Sequence, residues 1–214
     1  MKVLLLGSSG QLGNSLIIRK PKDVNLMSPK RNELNVTNYE KLQRKIIEFK
    51  PDWVINAAAY TNVDQAENNK QIAFKINRDV PKNISLILKQ YGGNLLHIST
   101  DFVFDGKSNK PYLPKDPINP ISIYGLSKAA GEDEIKRIFN KSNKGIILRT
   151  SWLMGPFGKN FAKTILEYNK TKELIKVVSD QIGCPTSTIS LAEVCWKILE
   201  ENKNKNQYNL PAIM

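Results

Sequence analysis

Long apolar runs are missing from this chain. Its first residues, Met1 to Gly7, contain only four apolar residues in a row before the glycine. A run of that length is too short for the core of a signal peptide or for a membrane span. We therefore expect a cytoplasmic protein with no membrane partner.

Residues that build metal sites and disulfides are also scarce. The 214 residues include two cysteines, Cys184 and Cys195, and one histidine, His97. They are too few for a four-ligand zinc site, and a lone cysteine pair in a cytoplasmic protein is expected to stay reduced. We interpret both cysteines as packing residues and predict no metal.

Acidic residues are outnumbered, 20 against 32 lysines and arginines, which gives a net charge of +12. Such an excess can indicate a nucleic-acid partner. The basic residues are mostly scattered lysines, however, without a dense arginine cluster or interleaved aromatic residues. We interpret the charge as a solvated surface that would also attract a phosphorylated substrate, and expect no nucleic-acid partner.

Short apolar segments alternate with longer segments of helical period, a pattern typical of βαβ units. It predicts an α/β protein with a doubly wound, Rossmann-like parallel sheet. The strands are predicted at residues 2–6, 24–27, 53–56, 94–99 and 145–149, and the helices at 11–18, 38–49, 71–91, 123–139 and 160–168. The capping-box spacing of Ser190 and Glu193 predicts a last helix that starts there and runs to about Asn202.

A glycine-rich segment follows the first predicted strand and opens the first predicted helix. It reads Gly7-Ser8-Ser9-Gly10-Gln11-Leu12-Gly13. In this context one glycine makes the turn, another lets the backbone approach a pyrophosphate, and the third allows close packing of helix on strand. The segment predicts dinucleotide binding, and the alternative is a tight turn without a ligand.

The residues after the second predicted strand bear on the choice of cofactor. An acidic residue here would hold the ribose 2′-hydroxyl of NAD, but the sequence reads Ser28-Pro29-Lys30-Arg31. Basic groups suit the 2′-phosphate of NADP. We therefore favour NADPH, bound by Arg31, over NADH, which stays possible if these are ordinary loop charges.

Tyr124 and Lys128 are four residues apart, so they share one face of the predicted helix. A cation at that distance predicts a lowered tyrosine pKa and hence a usable general acid. The spacing alone is weak, and Tyr168 with Lys172 is a second instance that we attribute to chance. The first pair gains weight from Ser99 and Thr100, whose hydroxyls end a predicted strand where ligands bind in this architecture.

Several segments follow one another along the chain. They include Asn56-Ala57-Ala58-Ala59, Ser99-Thr100-Asp101-Phe102, Tyr124 and Lys128 with Gly131-Glu132, Arg149-Thr150-Ser151-Trp152, Asn160-Phe161 and Gly183-Cys184-Pro185-Thr186. Together these segments resemble dTDP-4-dehydrorhamnose reductases of the extended short-chain dehydrogenase/reductase family. The resemblance spans nearly the whole sequence, and an ordered set of motifs is more specific than any one.

This resemblance implies an oxidoreductase that uses NADPH to reduce the 4-keto group of a dTDP-sugar for cell-surface polysaccharide. It implies that Tyr124 protonates the ketone oxygen, Lys128 holds the nicotinamide ribose, and Thr100 bonds the reacting oxygen. The other implied contacts are Gly7, Gly10, Gln11, Leu12, Gly13, Ala57, Ala58 and Ala59 for the cofactor, and Thr100, Asp101, Phe102, Trp152 and Asn160 for the substrate.

The sequence departs from the family in places. Phe102 stands where the family usually has tyrosine, and Asn14-Ser15 replaces a glutamate that binds magnesium in some relatives, so no metal is implied. Relatives also continue beyond the segment matching Tyr208. We therefore expect an NADP-binding domain at residues 1–150 and a partial substrate-binding region at residues 151–214.

Two other functions stay open at this stage. One is a non-catalytic, NADP-binding regulatory subunit, and the other is a related nucleotide-sugar epimerase or dehydratase. An epimerase would recycle tightly held NAD, whereas a reductase consumes NADPH. The sequence is compatible with a monomer or a homodimer.

Overall fold

The fold is built around a five-stranded parallel sheet, as predicted. The computed structural model describes residues 1–140 and 142–202. The strand order is β2-β1-β3-β4-β5, and all four pairings are parallel. The strands are β1 (Lys2–Leu6), β2 (Asn25–Met27), β3 (Trp53–Asn56), β4 (Asn94–Thr100) and β5 (Gly145–Thr150).

Helices cover both faces of the sheet, which explains why the strands read as continuous apolar runs. Alternate strand residues supply two buried clusters: Val3 and Leu5 belong to one, Leu4 and Leu6 to the other. The helices are α1 (Gln11–Ile18), α2 (Tyr39–Phe49), α3 (Val63–Asn68), α4 (Lys70–Phe74), α5 (Val80–Tyr91), α6 (Ile123–Phe139), α7 (Phe161–Tyr168) and α8 (Thr188–Glu201). Residues of α1 and α8 complete the first cluster, and those of α2, α5 and α6 the second.

The strand order reverses between β1 and β3, because the chain passes from β1 to β2 on one side and returns to β3 on the other. Ligands bind outside the carboxyl ends of the strands at such a point in doubly wound sheets. The glycine-rich turn follows β1, and Ala57 to Ala59 follow β3, so both lie at this position.

The predicted helix at residues 71–91 is interrupted. Between α4 and α5 lies a π-helical turn, Lys75–Asp79, in which the buried Asn77 bonds to both backbone groups of Tyr60 and to the Ser127 hydroxyl. Such turns occur often at functional sites. Here the turn links the chain after β3 to α6, which carries Tyr124 and Lys128.

The region after β5 is smaller and more exposed. Strands β6 (Leu153–Met154) and β7 (Thr186–Ser187) pair in parallel as a separate two-stranded sheet. Helix α7 has no buried residue. Cys184 is exposed and Cys195 is buried, so our interpretation of both as packing residues is wrong for Cys184 and confirmed for Cys195. Within the described residues, no helix is long and apolar enough to cross a membrane.

The last helix begins two residues before the predicted start. The side chain of Ser187 accepts a hydrogen bond from the Ser190 backbone N–H, so Ser187 is the N-cap and α8 starts at Thr188. The capping-box spacing is present in the sequence, but Ser190 lies inside the first turn. Helix α8 is fixed to α1 by the hydrogen bond from Ser15 to Thr188 at 2.8 Å and by that from Trp196 to the Leu16 carbonyl at 3.1 Å.

Replacing Ser187 with alanine is expected to lower the free energy of unfolding by about 1 kcal/mol, because the cap bond is lost. Urea denaturation measures this change. Ser190→Ala is the matched control, and we expect it to change stability by less than about 0.5 kcal/mol. A larger loss from Ser190→Ala than from Ser187→Ala would contradict the observed helix start.

Candidate functional site

Two of the predicted glycines have no room for a side chain. A Cβ at Gly7 would lie 2.6 Å from the Ala57 carbonyl carbon, and one at Gly13 would lie 2.2 Å from the Gly7 oxygen. Gly7 also has φ +84°, which favours glycine. Gly10 is the N-cap of α1 and makes no side-chain cap bond. No side chain at the cap therefore competes with an anion for the first N–H groups of this helix.

A cavity of about 230 Å³ lies directly above this turn. Five predicted cofactor-binding positions from the turn and from the chain after β3 line it: Gly7, Gly10, Ala57, Ala58 and Ala59. Arg31 lies on its wall as well. A larger depression of about 660 Å³ lies at the opposite edge, near Met1 and Trp53, where the strands begin. The smaller cavity is the candidate site because it lies at the carboxyl ends of β1 and β3.

The remaining predicted cofactor residues, Gln11 and Leu12, form the first turn of α1. Leu12 is buried in the core, and the Gln11 side chain accepts a hydrogen bond from Asn160 at 3.0 Å. Leu12 therefore helps to position the turn through packing, whereas Gln11 ties the turn to the chain before α7.

Thr100 and Tyr124 meet through a side-chain hydrogen bond at the carboxyl end of β4, and Lys128 follows one turn later on α6. Helix α6 is placed by two bonds at its start: the Ser122 side chain caps the Gly125 N–H, and Glu67 accepts from the Ile123 N–H at 2.8 Å. A Cβ at Gly125 would lie 2.2 Å from the Phe102 carbonyl oxygen. This close approach brings the first turn of α6 onto the chain that follows Thr100.

The phenol of Tyr124 is buried, with 9% of the residue exposed. Burial raises its pKa, and the nearby Asp101 carboxylate acts in the same direction, while a hydrogen bond between the Thr100 and Tyr124 side chains opposes them. Our prediction that Lys128 lowers the pKa of Tyr124 is therefore wrong for this structure. Tyr124 keeps its proton at neutral pH, which is the state that a general acid needs.

Lys128 is directed away from Tyr124 to other partners. Its Nζ donates to the Ile98 carbonyl at 2.7 Å and lies 3.3 Å from His97 Nε2. Burial lowers the pKa of Lys128 to about 8, although the charge of Glu132 acts in the opposite direction. The Lys128 Nζ is thus held by β4, which explains why it has little effect on the phenol.

The buried ion pair of Glu132 and Arg149 was not predicted. The two residues were noted only as members of segments that resemble the reductase family. Two Arg149 nitrogens donate to the Glu132 carboxylate at 2.9 and 2.6 Å, and Ser99 donates to it at 2.6 Å. Burial favours the neutral acid, but the bonds from Arg149 and Ser99 outweigh it and hold the pKa of Glu132 below its usual value. The pair joins α6, β5 and the end of β4.

The four residues that were predicted, besides Thr100, to contact the substrate have different surroundings. Asp101 accepts a hydrogen bond from Thr100 at 3.0 Å, and the Phe102 ring packs edge-on against Tyr124 with centroids 5.5 Å apart. Phe102 and Trp152 are both partly exposed, and Trp152 has a φ of +42°. Asn160 caps α7 and donates to Gln11 and Gly155, so its amide is already bonded within the chain.

One buried hydroxyl at the site lacks a partner. Among the residues that the structure describes, Thr150 Oγ1 is the buried side-chain polar atom without a hydrogen bond. Thr150 ends β5 directly beside Thr100 in the sheet register. An unpaired buried hydroxyl costs free energy unless a ligand bonds it. Together with the cavity above the glycine-rich turn, it fits a bound dinucleotide. No cluster of metal-binding side chains occurs within residues 1–140 and 142–202.

The fold, the glycine-rich turn and the Tyr124–Lys128 pair define a dinucleotide-dependent oxidoreductase of the short-chain dehydrogenase/reductase type. Residues 1–210 match the family model described as the RmlD substrate binding domain. The chain therefore belongs to this family, and the resemblance found in the sequence is confirmed.

Named relatives agree with this assignment. The chain is 39% identical over 202 residues to a dTDP-4-dehydrorhamnose reductase of Aggregatibacter actinomycetemcomitans, covering 94% of this chain and 68% of that protein. It is also 39% identical over 198 residues to the spore coat polysaccharide biosynthesis protein SpsK of Bacillus subtilis (strain 168), covering 92% and 69%. The chain thus spans about two thirds of the length of these relatives.

Solved structures show the same similarity. A dTDP-4-dehydrorhamnose reductase from Clostridium acetobutylicum superposes with a TM-score of 0.89 at 40% identity, covering 94% of this chain and 71% of that chain. The enzyme of the same name from Bacillus anthracis, in complex with NADP, gives 0.88 at 38% identity, covering 93% and 70%.

Proposed function

We propose that this chain carries the site of an NADPH-dependent reductase that converts dTDP-4-dehydro-L-rhamnose to dTDP-L-rhamnose for cell-surface polysaccharide. The single observation that carries the proposal is that the hydrogen-bonded pair of Thr100 and Tyr124 lies at the carboxyl end of β4, on the same edge of the sheet as the cavity at the β1–β3 switch point. The names of the relatives supply the substrate. Because the reaction needs NADPH, we propose the cytoplasm as its compartment.

Cofactor binding in this proposal uses the backbone more than side chains. The backbone of Gly7 and Gly10, which lines the cavity, and the start of α1 receive the pyrophosphate, while Gly13 lets α1 pack closely on the turn. The chain from Ala57 to Ala59 lies along the same cavity, and Arg31 pairs with the 2′-phosphate.

Proton transfer is assigned to Tyr124. The reduced nicotinamide, when bound, supplies a hydride to the ketone carbon. Tyr124 holds a proton at Oη and donates it to the ketone oxygen, while the Thr100 hydroxyl keeps that oxygen within reach. Lys128 orients the ribose.

Substrate contacts are proposed on two sides of the site. Asp101 and Phe102 follow Thr100 directly, and Trp152 and Asn160 belong to residues 151–214, which we propose as a partial substrate-binding region beside the NADP-binding domain of residues 1–150. The bonded amide of Asn160 suggests a positioning role toward Gln11. The partly exposed rings of Phe102 and Trp152 are the surfaces open to a nucleotide sugar.

The direct test mixes the purified protein with dTDP-4-dehydro-L-rhamnose and NADPH and follows the loss of reduced-nicotinamide absorbance. We expect turnover that depends on both compounds. NADPH binding without turnover would favour a regulatory subunit, and tightly retained NAD that is recycled would favour an epimerase or a dehydratase. Either result would reject the reductase assignment for this chain.

Replacing Arg31 with alanine is expected to weaken NADPH binding by about 10- to 100-fold, because a charge-assisted bond to phosphate contributes about 1.5–3 kcal/mol. NADH binding should change little. Nucleotide fluorescence titration gives both dissociation constants. The control is Arg44→Ala, which removes an exposed arginine of α2 outside the cavity. Equal losses for NADPH and NADH would contradict the 2′-phosphate contact.

A further inference from the structure

A buried chain of hydrogen bonds runs from the cofactor cavity to Lys128. The Ala58 N–H, on the cavity wall, donates to Asn56 Oδ1 at 3.2 Å. Asn56 Nδ2 lies 3.1 Å from His97 Nδ1, and His97 Nε2 lies 3.3 Å from Lys128 Nζ. The exposed fractions of Asn56, His97 and Lys128 are 0%, 1% and 2%, so water does not replace these partners.

The donor at Ala58 fixes the orientation of Asn56. A backbone N–H needs an acceptor, so the amide oxygen faces Ala58 and the amide NH₂ faces His97. His97 Nδ1 then has to accept, which puts the hydrogen of the neutral ring on Nε2, directed toward Lys128. Burial and the charge of Lys128 lower the pKa of His97 well below its usual value, so the ring stays neutral.

This arrangement fits an uncharged lysine better than a charged one. An amine on Lys128 accepts from His97 Nε2–H while it donates to the Ile98 carbonyl at 2.7 Å. An ammonium has only donors, so it needs Nε2 as an acceptor and moves the ring hydrogen to Nδ1. The Nδ1 hydrogen would then face the NH₂ of Asn56, and two donors cannot bond one another.

We propose that Asn56 and His97 are positioning residues that couple the charge of Lys128 to the backbone of the cofactor cavity. When Lys128 is charged, His97 carries its hydrogen on Nδ1 and Asn56 turns its oxygen to the ring, which releases the Ala58 N–H toward the cavity. When Lys128 loses its charge, one Nζ proton is taken by His97 Nε2 and the Nδ1 proton leaves to solvent, so one proton is released in all.

The coupling rests on the proposed function, because that function places Lys128 at the cofactor. The coupling in turn links the charge of Lys128 to ligand binding. A cofactor oxygen that accepts the released Ala58 N–H favours the charged lysine, which is the state that holds the ribose. The same coupling runs in reverse, since charging Lys128 prepares the cavity to bind an acceptor.

Other ionisable groups also face this part of the site. On α6, Glu132 raises the pKa of Lys128, and Tyr124 lies one turn before Lys128. Asp101 follows β4 and acts on Tyr124, and Arg149 on β5 is paired with Glu132. With the pKa of Lys128 at about 8, the lysine is charged below that pH and neutral above it.

The sequence contains one histidine, so nitrogen NMR of the histidine-labelled protein reports the His97 tautomer without ambiguity. We expect Nδ1 to carry the hydrogen below about pH 8 and Nε2 to carry it above, with the two nitrogen shifts exchanging as Lys128 titrates. A tautomer that stays the same through this pH range would overturn the proposal.

Three variants separate the coupling from a structural role. In Lys128→Met the tautomer should no longer change with pH, whereas Tyr124→Phe should leave the titration in place. In Asn56→Asp the carboxylate only accepts, so Nδ1 should stay protonated throughout and the alkaline limb of kcat should move to higher pH. If Asn56→Asp does not fold, the contrast between the other two decides, and a titration that persists in Lys128→Met rejects the coupling.

These spectra do not depend on turnover. A tautomer change that follows Lys128 in a protein without reductase activity would support the coupling and reject the proposed function. Turnover with an invariant tautomer would support the proposed function and reject the coupling.

Discussion

Replacing Tyr124 with phenylalanine is expected to lower kcat by about 10²- to 10⁴-fold, the usual contribution of a positioned general acid. The substitution removes only the hydroxyl, and the ring keeps its packing against Phe102. NADPH binding should therefore stay close to that of the unmodified protein. Steady-state kinetics and a nucleotide titration on the same preparation measure both quantities.

Tyr168→Phe is the matched control for this substitution. Tyr168 is exposed and has Lys172 four residues later, with the ammonium 4.0 Å from the ring centroid, so it shares the spacing but not the site. We expect its kcat to be unchanged. A Tyr124→Phe variant with kcat near that of the Tyr168→Phe control would show that another group supplies the proton.

Replacing Arg149 with methionine is expected to lower the free energy of unfolding by about 3 kcal/mol, because the substitution leaves the buried Glu132 carboxylate with the half-exposed Lys136 ammonium as its remaining cationic partner. The exposed fractions of the Arg149 and Glu132 side chains are 6% and 0%. Chemical denaturation at neutral pH measures the loss. The bond from Arg149 to the Pro114 carbonyl disappears as well, so the loop before α6 should become more susceptible to proteolysis.

The double variant Arg149→Met with Glu132→Gln tests the cause. It removes both charges and leaves an amide that can still accept from Ser99, so its loss should be clearly smaller than that of Arg149→Met alone. The pH dependence gives a second check. Because the folded pKa of Glu132 is lowered, its contribution to stability is present at neutral pH and is lost as the pH falls through that pKa. A double variant less stable than Arg149→Met would contradict a charge effect.

Local sequence patterns were sufficient for the sheet and for the glycine-rich turn after β1. Strands that are buried on both faces are short, continuous apolar runs, which distinguishes them from the longer amphipathic helices. Glycines that immediately follow such a strand are typical of a dinucleotide-binding turn. Each of the five predicted strands is present, and Gly7 and Gly13 lie where their spacing placed them.

Features that depend on tertiary contacts were not predictable in the same way. The spacing of Tyr124 and Lys128 places them on one helix face but does not say what else competes for the ammonium, and the Ile98 carbonyl and His97 bind it instead. The helix interruption at Asn77 likewise depends on a partner far along the chain, Ser127. The start of α8 depends on which nearby serine is the N-cap, and the sequence pattern did not distinguish Ser187 from Ser190.

Hydride transfer to the ketone carbon is the central claim, and an isotope experiment tests it most directly. The protein is incubated with dTDP-4-dehydro-L-rhamnose and NADPH that carries deuterium at the transferable position, and the sugar is then analysed by NMR. The account predicts deuterium bound to carbon 4 of the product, with its formation abolished or strongly slowed in Tyr124→Phe. A sugar recovered without deuterium, from a protein shown to bind NADPH, would contradict it.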